Sequence, residues 1–286
     1  MNFSYKALFK RKCALDLQVN NIIKSYSDAA VDKFNLKIDF NIVKSMSSLG
    51  DRGSITVTGL PLEDIGALST CMMNIGASKP PRNFVQLLAG YDTDFGVIFK
   101  GGVFTVSSNL DTSDMSVTLN VMPGFDISQK AVIEINDKPA TLMSICTKAA
   151  KELNAPLNFT GEDKNYSEFN FKGSVFQLLE NLQRTVSYSK RIYYSDDVLH
   201  VEDTAIPGTE MISISSESGL IGTPQASLEG INFKCLLMPS IKVGSMVQLI
   251  SRKLPLLNGV YKVISLTMQG SNRSTPYFCN VFAKRI

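Results

Sequence analysis

The sequence predicts a mainly β chain carrying a small α+β insertion, on three observations. Apolar residues alternate with polar ones in the first and last stretches, the mark of strands with one wet face. In the middle the period changes to that of helices with one apolar face. Glycine and proline punctuate the alternating stretches, as expected of a sandwich or closed barrel built from several short strands.

In the first third, Leu36, Ile38, Phe40 and Ile42 alternate with Lys37, Asp39 and Asn41, and "GSITVTGL" repeats the pattern through Ile55 and Val57. In "LPLEDIGALSTCM", Pro61 suits a first helical position, and Leu62, Ile65 and Leu68 recur at helical spacing. "RNFVQLLAGY" is a further strand. In "AGYDTDFGVIFKGGVF" two β-type halves, Gly96 to Lys100 and Val103 to Val106, flank Gly101-Gly102, which reads as a hairpin turn needing positive φ. In "MSVTLNVMPG" Met115, Val117, Leu119 and Val121 face inward, and Pro123-Gly124 ends the strand.

The middle opens with the strand "KAVIEIND". "PATLMSICTKAAKELNAP" then sets Leu142, Ile145, Cys146, Ala149, Ala150 and Leu153 on one helical face, with Asn154 and Pro156 as the stop. Ser174 and Gln177 form a capping-box pattern ahead of the stripe Val175, Leu178, Leu179, Leu182 and Val186. "KRIYYSDDVLHVED" closes as a hairpin over Ser195-Asp196-Asp197. After Ile206-Pro207-Gly208 five strands are expected, in "EMISIS", "INFKCLLM", "SMVQLIS", "GVYKVISLTMQG" and "YFCNVFAKRI", with Asn258-Gly259 as a hairpin turn. The expected domains are residues 1–125, a β domain; 126–205, the α+β module; and 206–286, a second β domain.

Composition narrows the function. Apolar residues are 44% and charged residues 19% of the chain, which supports buried cores and argues against wholesale disorder. The net charge of +3 comes without a basic stripe beyond Lys10-Arg11-Lys12, so no sequence-specific nucleic-acid partner is expected. The N-terminus reads as no signal peptide, and no apolar run reaches the ~18 residues of a membrane span. Five dispersed cysteines, Cys13, Cys71, Cys146, Cys235 and Cys279, without a CxxC pair, read as reduced core thiols.

Catalytic chemistry finds little to stand on. The single histidine, His200, lies among Asp196, Asp197, Glu202 and Asp203 but has no accompanying nucleophile elbow. Glu134, Glu162, Asp163 and Glu168 could serve two-carboxylate hydrolysis, yet nothing in the sequence pairs them. No phosphate-binding glycine motif occurs. No catalytic residue, cofactor or metal ligand is assigned.

The order of segments resembles a known family. "LKIDFNIVKS…GSITVTGLP", a helix, and then "VQLLAGY…GVIFKGGVFTV…MSVTLNV" look like the opening domain of phage baseplate central hub proteins. Gly222 to Pro224, Met238 to Leu249 and Gly259 to Val263 are similar to that family's closing β domain. The resemblance implies two tube-like β-barrel or sandwich domains flanking the small module. It implies a structural protein and no enzyme: a homotrimer in the virion tail baseplate, assembled in the host cytoplasm. The tail tube would lie on one face, the spike on the other, and further baseplate proteins around it. The alternatives are a cell-wall-binding or cell-wall-cleaving tail-tip protein, or a distal tail or tube-terminating protein. Two connections, Asn20 to Asn35 and Ser45 to Gly53, are the expected contact with the next tube ring, through Ile23, Tyr26, Phe34, Met46, Leu49 and Arg52.

Overall fold

The computed structural model describes residues 10–19, 22–27, 36–47, 50–73, 83–92, 94–111, 114–123, 132–186, 190–203 and 211–286. The N-terminal stretch runs β1 (Arg11–Val19), β2 (Ile22–Ser27), β3 (Lys37–Ser45), β4 (Arg52–Thr58), α1 (Leu62–Met73), β5 (Phe84–Tyr91), β6 (Asp94–Asn109) and β7 (Ser116–Met122). The middle adds β8 (Val132–Asp137), β9 (Ala140–Thr141), α2 (Leu142–Glu152), β10 (Leu157–Phe159) and β11 (Asn165–Tyr166). It closes with β12 (Phe169–Ser174), α3 (Val175–Thr185), β13 (Lys190–Ser195) and β14 (Val198–Asp203). The last stretch runs β15 (Met211–Ser215), β16 (Leu220–Ala226), β17 (Ile231–Leu236), β18 (Met246–Ile250), a 3-10 turn at Pro255–Leu257, β19 (Gly259–Ser271) and β20 (Tyr277–Arg285).

These elements form two compact units. The larger comprises Met1–Lys44, Arg52–Met122 and Gly208–Ile286, and the smaller Ser45–Asp51 with Pro123–Pro207. In the larger unit the strands make a 13-stranded sheet in the order β16-β17-β20-β19-β3-β4-β7-β6-β5-β1-β2, with β18 also on β19 and β15 on β18. One face is apolar: Ile38, Phe40, Ile42, Ile55, Val57, Leu119 and Val281 are all buried. The expected pair of closed barrels does not form within the chain. Both terminal β regions enter one open sheet, because β19 bonds to β3 as well as to β18 and β20. Past the end of β19, Asn272 continues this seam. Its N–H donates to the Ile38 carbonyl at 3.1 Å, its Oδ1 accepts from the Ile38 N–H at 2.9 Å, and its Nδ2 donates to the Leu36 carbonyl at 3.0 Å. Gly270 belongs to the same junction, since a Cβ there would stand 2.2 Å from the Phe40 ring.

The glycine pair is not a hairpin turn. β6 is one strand of 16 residues in which Gly101 pairs with Val85, and Gly102 pairs with both Phe84 and Met122. The strand is long because β5 covers its first half and β7 its second. The turn into β6 lies instead between Tyr91 and Asp94. Two further local readings change. Asn20 to Asn35 contains a strand, since β2 pairs antiparallel with β1. Asn258 has φ −66°, outside hairpin-turn geometry, and its Oδ1 instead accepts the Ser251 N–H at 2.6 Å to close a longer loop. On α1, Ile65 and Leu68 are buried, whereas Leu62 points outward.

In the smaller unit α3 starts as its capping pattern foretells, and α2 is capped as well. Thr141 and Ser144 cap α2, and Ser174 and Gln177 cap α3, each with reciprocal hydrogen bonds. Asn154 ends α2 at φ 50°, and Asp196 and Asp197, at φ 51° and 62°, make the two-residue turn between β13 and β14. The helical stripes pack with Ile133, Ile135, Ile192, Leu199 and Val201 into one core. Cys146 lies in that core, where burial pushes its thiol up to about 12, far from the thiolate that reactive cysteines need.

Gly90 has φ 142°, and a Cβ there would meet the Asp94 carbonyl oxygen at 2.0 Å. Gly90→Ala is therefore expected to lose about 2 kcal/mol or more of unfolding free energy in a denaturant titration.

Candidate functional site

The described residues hold Glu134, Glu168 and His200 in separate pairs, with Lys172, Lys138 and Glu202. Among the described residues no three His, Cys, Asp or Glu side chains gather as a metal-binding group. Glu134 is paired with Lys172 at 3.2 Å and Glu168 with Lys138 at 2.7 Å, so each stands in its own ion pair. Lys138 beside it lowers the Glu168 carboxyl below its ordinary range, with help from Asn170. His200 stacks on Tyr193 with ring centroids 4.8 Å apart, and its Nδ1 lies 3.3 Å from Glu202 Oε1. In the same unit Asp51 Oδ2 accepts from the Ser195 hydroxyl at 2.8 Å.

The path of the large sheet ends at β2 and at β16. β2 is held to α1 by side chains: the Tyr26 hydroxyl donates to Asp64 Oδ2 at 2.7 Å, and Lys24 pairs with the other carboxylate oxygen. That hydrogen bond raises the Lys24 pKa, while burial, followed by the Asp64 bond, raises that of Tyr26. Ile22 and Ile23 remain outside, Ile23 at 66% exposure. β16 differs. Its register with β17 jumps between Ile221 and Gln225, so three residues stand out of the ladder, and the edge is blunted as bulges blunt edges elsewhere.

Of the residues expected at a ring contact, Ile23 and Arg52 are exposed, at β2 and at the start of β4. Tyr26 and Met46 are buried within the chain. Phe34 and Leu49 lie outside the described residues. Helical and strand periodicity could not have separated these cases, because the burial of Tyr26 depends on Asp64, 38 residues away.

Beside β16 the large unit has a groove of ≈ 670 Å³, lined by Arg11, Tyr91, Ile221, Leu236, Tyr277 and Phe278 with Thr275 and Pro276. Its floor is held by one hydroxyl. Tyr277 Oη accepts the Gly90 N–H at 2.8 Å and donates to the Lys12 carbonyl at 2.6 Å. The Tyr277 ring meets Tyr91 and Phe40 edge-on, at 5.5 and 6.1 Å between centroids, and the Arg11 guanidinium lies 5.1 Å from its centre. Sequence reading passed over this groove, since its lining comes from five strands, β1, β5, β16, β17 and β20, and no motif joins them. A second groove of ≈ 530 Å³ crosses the outward face of β16, β17, β20 and β19, past Asn232, Lys234, Thr267 and Asn280.

The sequence model of a family described as baseplate hub gp41 matches residues 17–283. No curated protein matches the chain. Among solved structures, the chain is similar to the prophage MuSo2 43 kDa tail protein from Shewanella oneidensis. That match has TM-score 0.65 at 8% identity and covers 95% of this chain and 96% of that one. A tail protein from Neisseria meningitidis MC58 matches with TM-score 0.61 at 10% identity, covering 96% of each chain. An E. coli component of the type VI secretion system, described as structurally similar to the T4 tail proteins gp27 and gp5, matches with TM-score 0.60 at 10% identity. It is covered over 76% of its length by 94% of this chain. At these identities the likeness is one of fold.

Tyr277→Phe keeps the rings packed and leaves the Gly90 N–H and the Lys12 carbonyl without their partner. Chemical denaturation is expected to show a loss of about 1–3 kcal/mol. Alkali tests the same region. Burial, opposed by Arg11, pushes the Tyr91 phenol up to about 12, and burial raises Tyr277 further. The unfolded chain ionises these groups near pH 10 while the folded chain holds its protons. Their stabilisation is therefore complete below pH 10 and falls between about pH 10 and 12, read as a drop in Tm across that window.

Proposed function

The chain belongs to the baseplate hub gp41 family, and from that premise we propose that three copies form a ring joining a threefold spike to a sixfold tail tube. The observation that carries this reading is the open sheet. Two β regions from opposite ends of the chain share it, and it leaves edges open, β2 and β16 at the ends of its path and β15 on the side branch through β18. An open edge presents unpaired N–H and C=O groups, and a neighbouring strand satisfies them most fully. A head-to-tail contact that closes on itself forms a ring and stops growing. Three such chains bring six β regions around one axis, which is the count a sixfold tube presents.

In this arrangement the tube-like wall belongs to the assembly and not to the single chain. Ile23 and Arg52 contact the next tube ring, whereas Tyr26 and Met46 hold their connections in shape from within. Spike and other baseplate proteins bind the remaining faces, and assembly takes place in the host cytoplasm. The protein's role is structural.

Cryo-electron microscopy of the tail tip, with this chain tagged, tests the proposal. The expected density is three copies around a central channel between tube and spike. Copies away from the axis, or one copy per particle, would overturn it. In the same particles, Ile23→Asp is expected to reduce attached tubes several-fold while leaving the chain folded.

A further inference from the structure

We propose that the β16–β17 turn of one chain docks in the Arg11–Tyr277 groove of a second copy, Leu228 filling the apolar part and Glu229 pairing with Arg11. This deepens the ring reading above and rests on it.

The turn is built as a finger. Ser227 closes it through its N–H and its hydroxyl, which donate to the Gly230 carbonyl at 2.8 and 3.1 Å. Leu228 at its tip is 107% exposed, a large apolar side chain held in water on a short, closed turn. A shape fixed before binding spares the ordering cost of association. Glu229 follows directly, exposed and without an ion pair among the described residues.

The groove is the chemical complement. Ile221, Leu236 and Phe278 provide apolar walls over the Tyr91 and Tyr277 rings. Arg11 donates through Nη1 to the Ser274 carbonyl at 2.9 Å and lies against Tyr277, which leaves the rest of its planar fork for a carboxylate. The neighbouring cation Lys12 is taken by Asp92 at 2.6 Å, so Arg11 sets the charge of the site.

The finger cannot reach the groove of its own chain. Ile221 and Leu236 are the base of the same hairpin, some five residues of strand from its tip, or about 16 Å. The contact is therefore between copies. Charge selects this finger over the exposed apolar loop at Leu256, 93% exposed: Arg252 there is paired with Glu217, but Lys253 would be repelled by Arg11, and no carboxylate adjoins Leu256 in sequence.

The experiment places a photo-crosslinking benzoyl-phenylalanine at Leu228 in particles carrying the full chain. Expected are covalent multimers of this chain, with the cross-linked peptide containing Tyr91 or Thr275 to Phe278. Cross-links to another protein, cross-links elsewhere on this chain, or none at all would each overturn the docking. The ring is read separately by imaging the same particles: three copies on the axis with no groove cross-link sinks the docking alone. In parallel, Glu229→Arg on the exposed turn is expected to lower hub incorporation about tenfold or more, and adding Arg11→Glu to restore it. Undiminished incorporation in Glu229→Arg, or failure of the double variant to recover, contradicts the pairing.

Discussion

One hydroxyl ties the two ends of the large unit together. Tyr277 sits at the start of β20, and its Oη takes the Gly90 N–H from β5 and gives its proton to the Lys12 carbonyl of β1. A buried polar group must find such partners or lose the energy of its hydration. The rings around it, Phe40, Tyr91 and Tyr277, are held edge to face by the same placement. With the β3–β19 pairing and the Asn272 bonds, this makes one sheet from strands more than 200 residues apart in sequence.

That union has a consequence for assembly. Had each terminal region closed on itself, no ladder would remain open. Joined, they leave β2 and β16 at the ends of the path. The two ends are managed differently. β2 is a regular strand pinned by Tyr26 and Lys24 to Asp64, and β16 is broken by its register jump. A regular edge suits pairing with another strand, while a blunted one turns the chain aside and shapes the groove that holds Ile221. The function proposed for this family member uses both features, and neither requires a catalytic group.

The likeness to tail proteins of Shewanella oneidensis and Neisseria meningitidis at 8% and 10% identity is intelligible in these terms. What such chains hold in common at that distance is the order and pairing of strands. Apolar and polar residues can be exchanged within each class while the pleat and the ladder persist, because main-chain hydrogen bonds carry the pairing. Surface groups such as Leu228, Glu229 and Arg11 are free to change, and they are where one assembly can be told from another.

The sequence by itself determined the local elements. The alternation around Ile38 and Phe40, the stripes of α2 and α3, the Ser174 cap of α3, and the Asp196-Asp197 turn all follow from forces acting within a few residues. The cores follow too, since burial tracks those periods. Only the tertiary structure decided which strands pair. Gly101-Gly102 looked like a turn and lies inside a strand, because β5 and β7 both claim β6. Asn258 looked like a hairpin residue and instead holds Ser251. Tyr26 looked like a surface contact until Asp64 arrived from a helix. The physical reason is common to all three. The ladder groups of every residue except proline are chemically alike, so pairing is settled by which distant segments bury their faces together, and that choice is made only when the chain has folded.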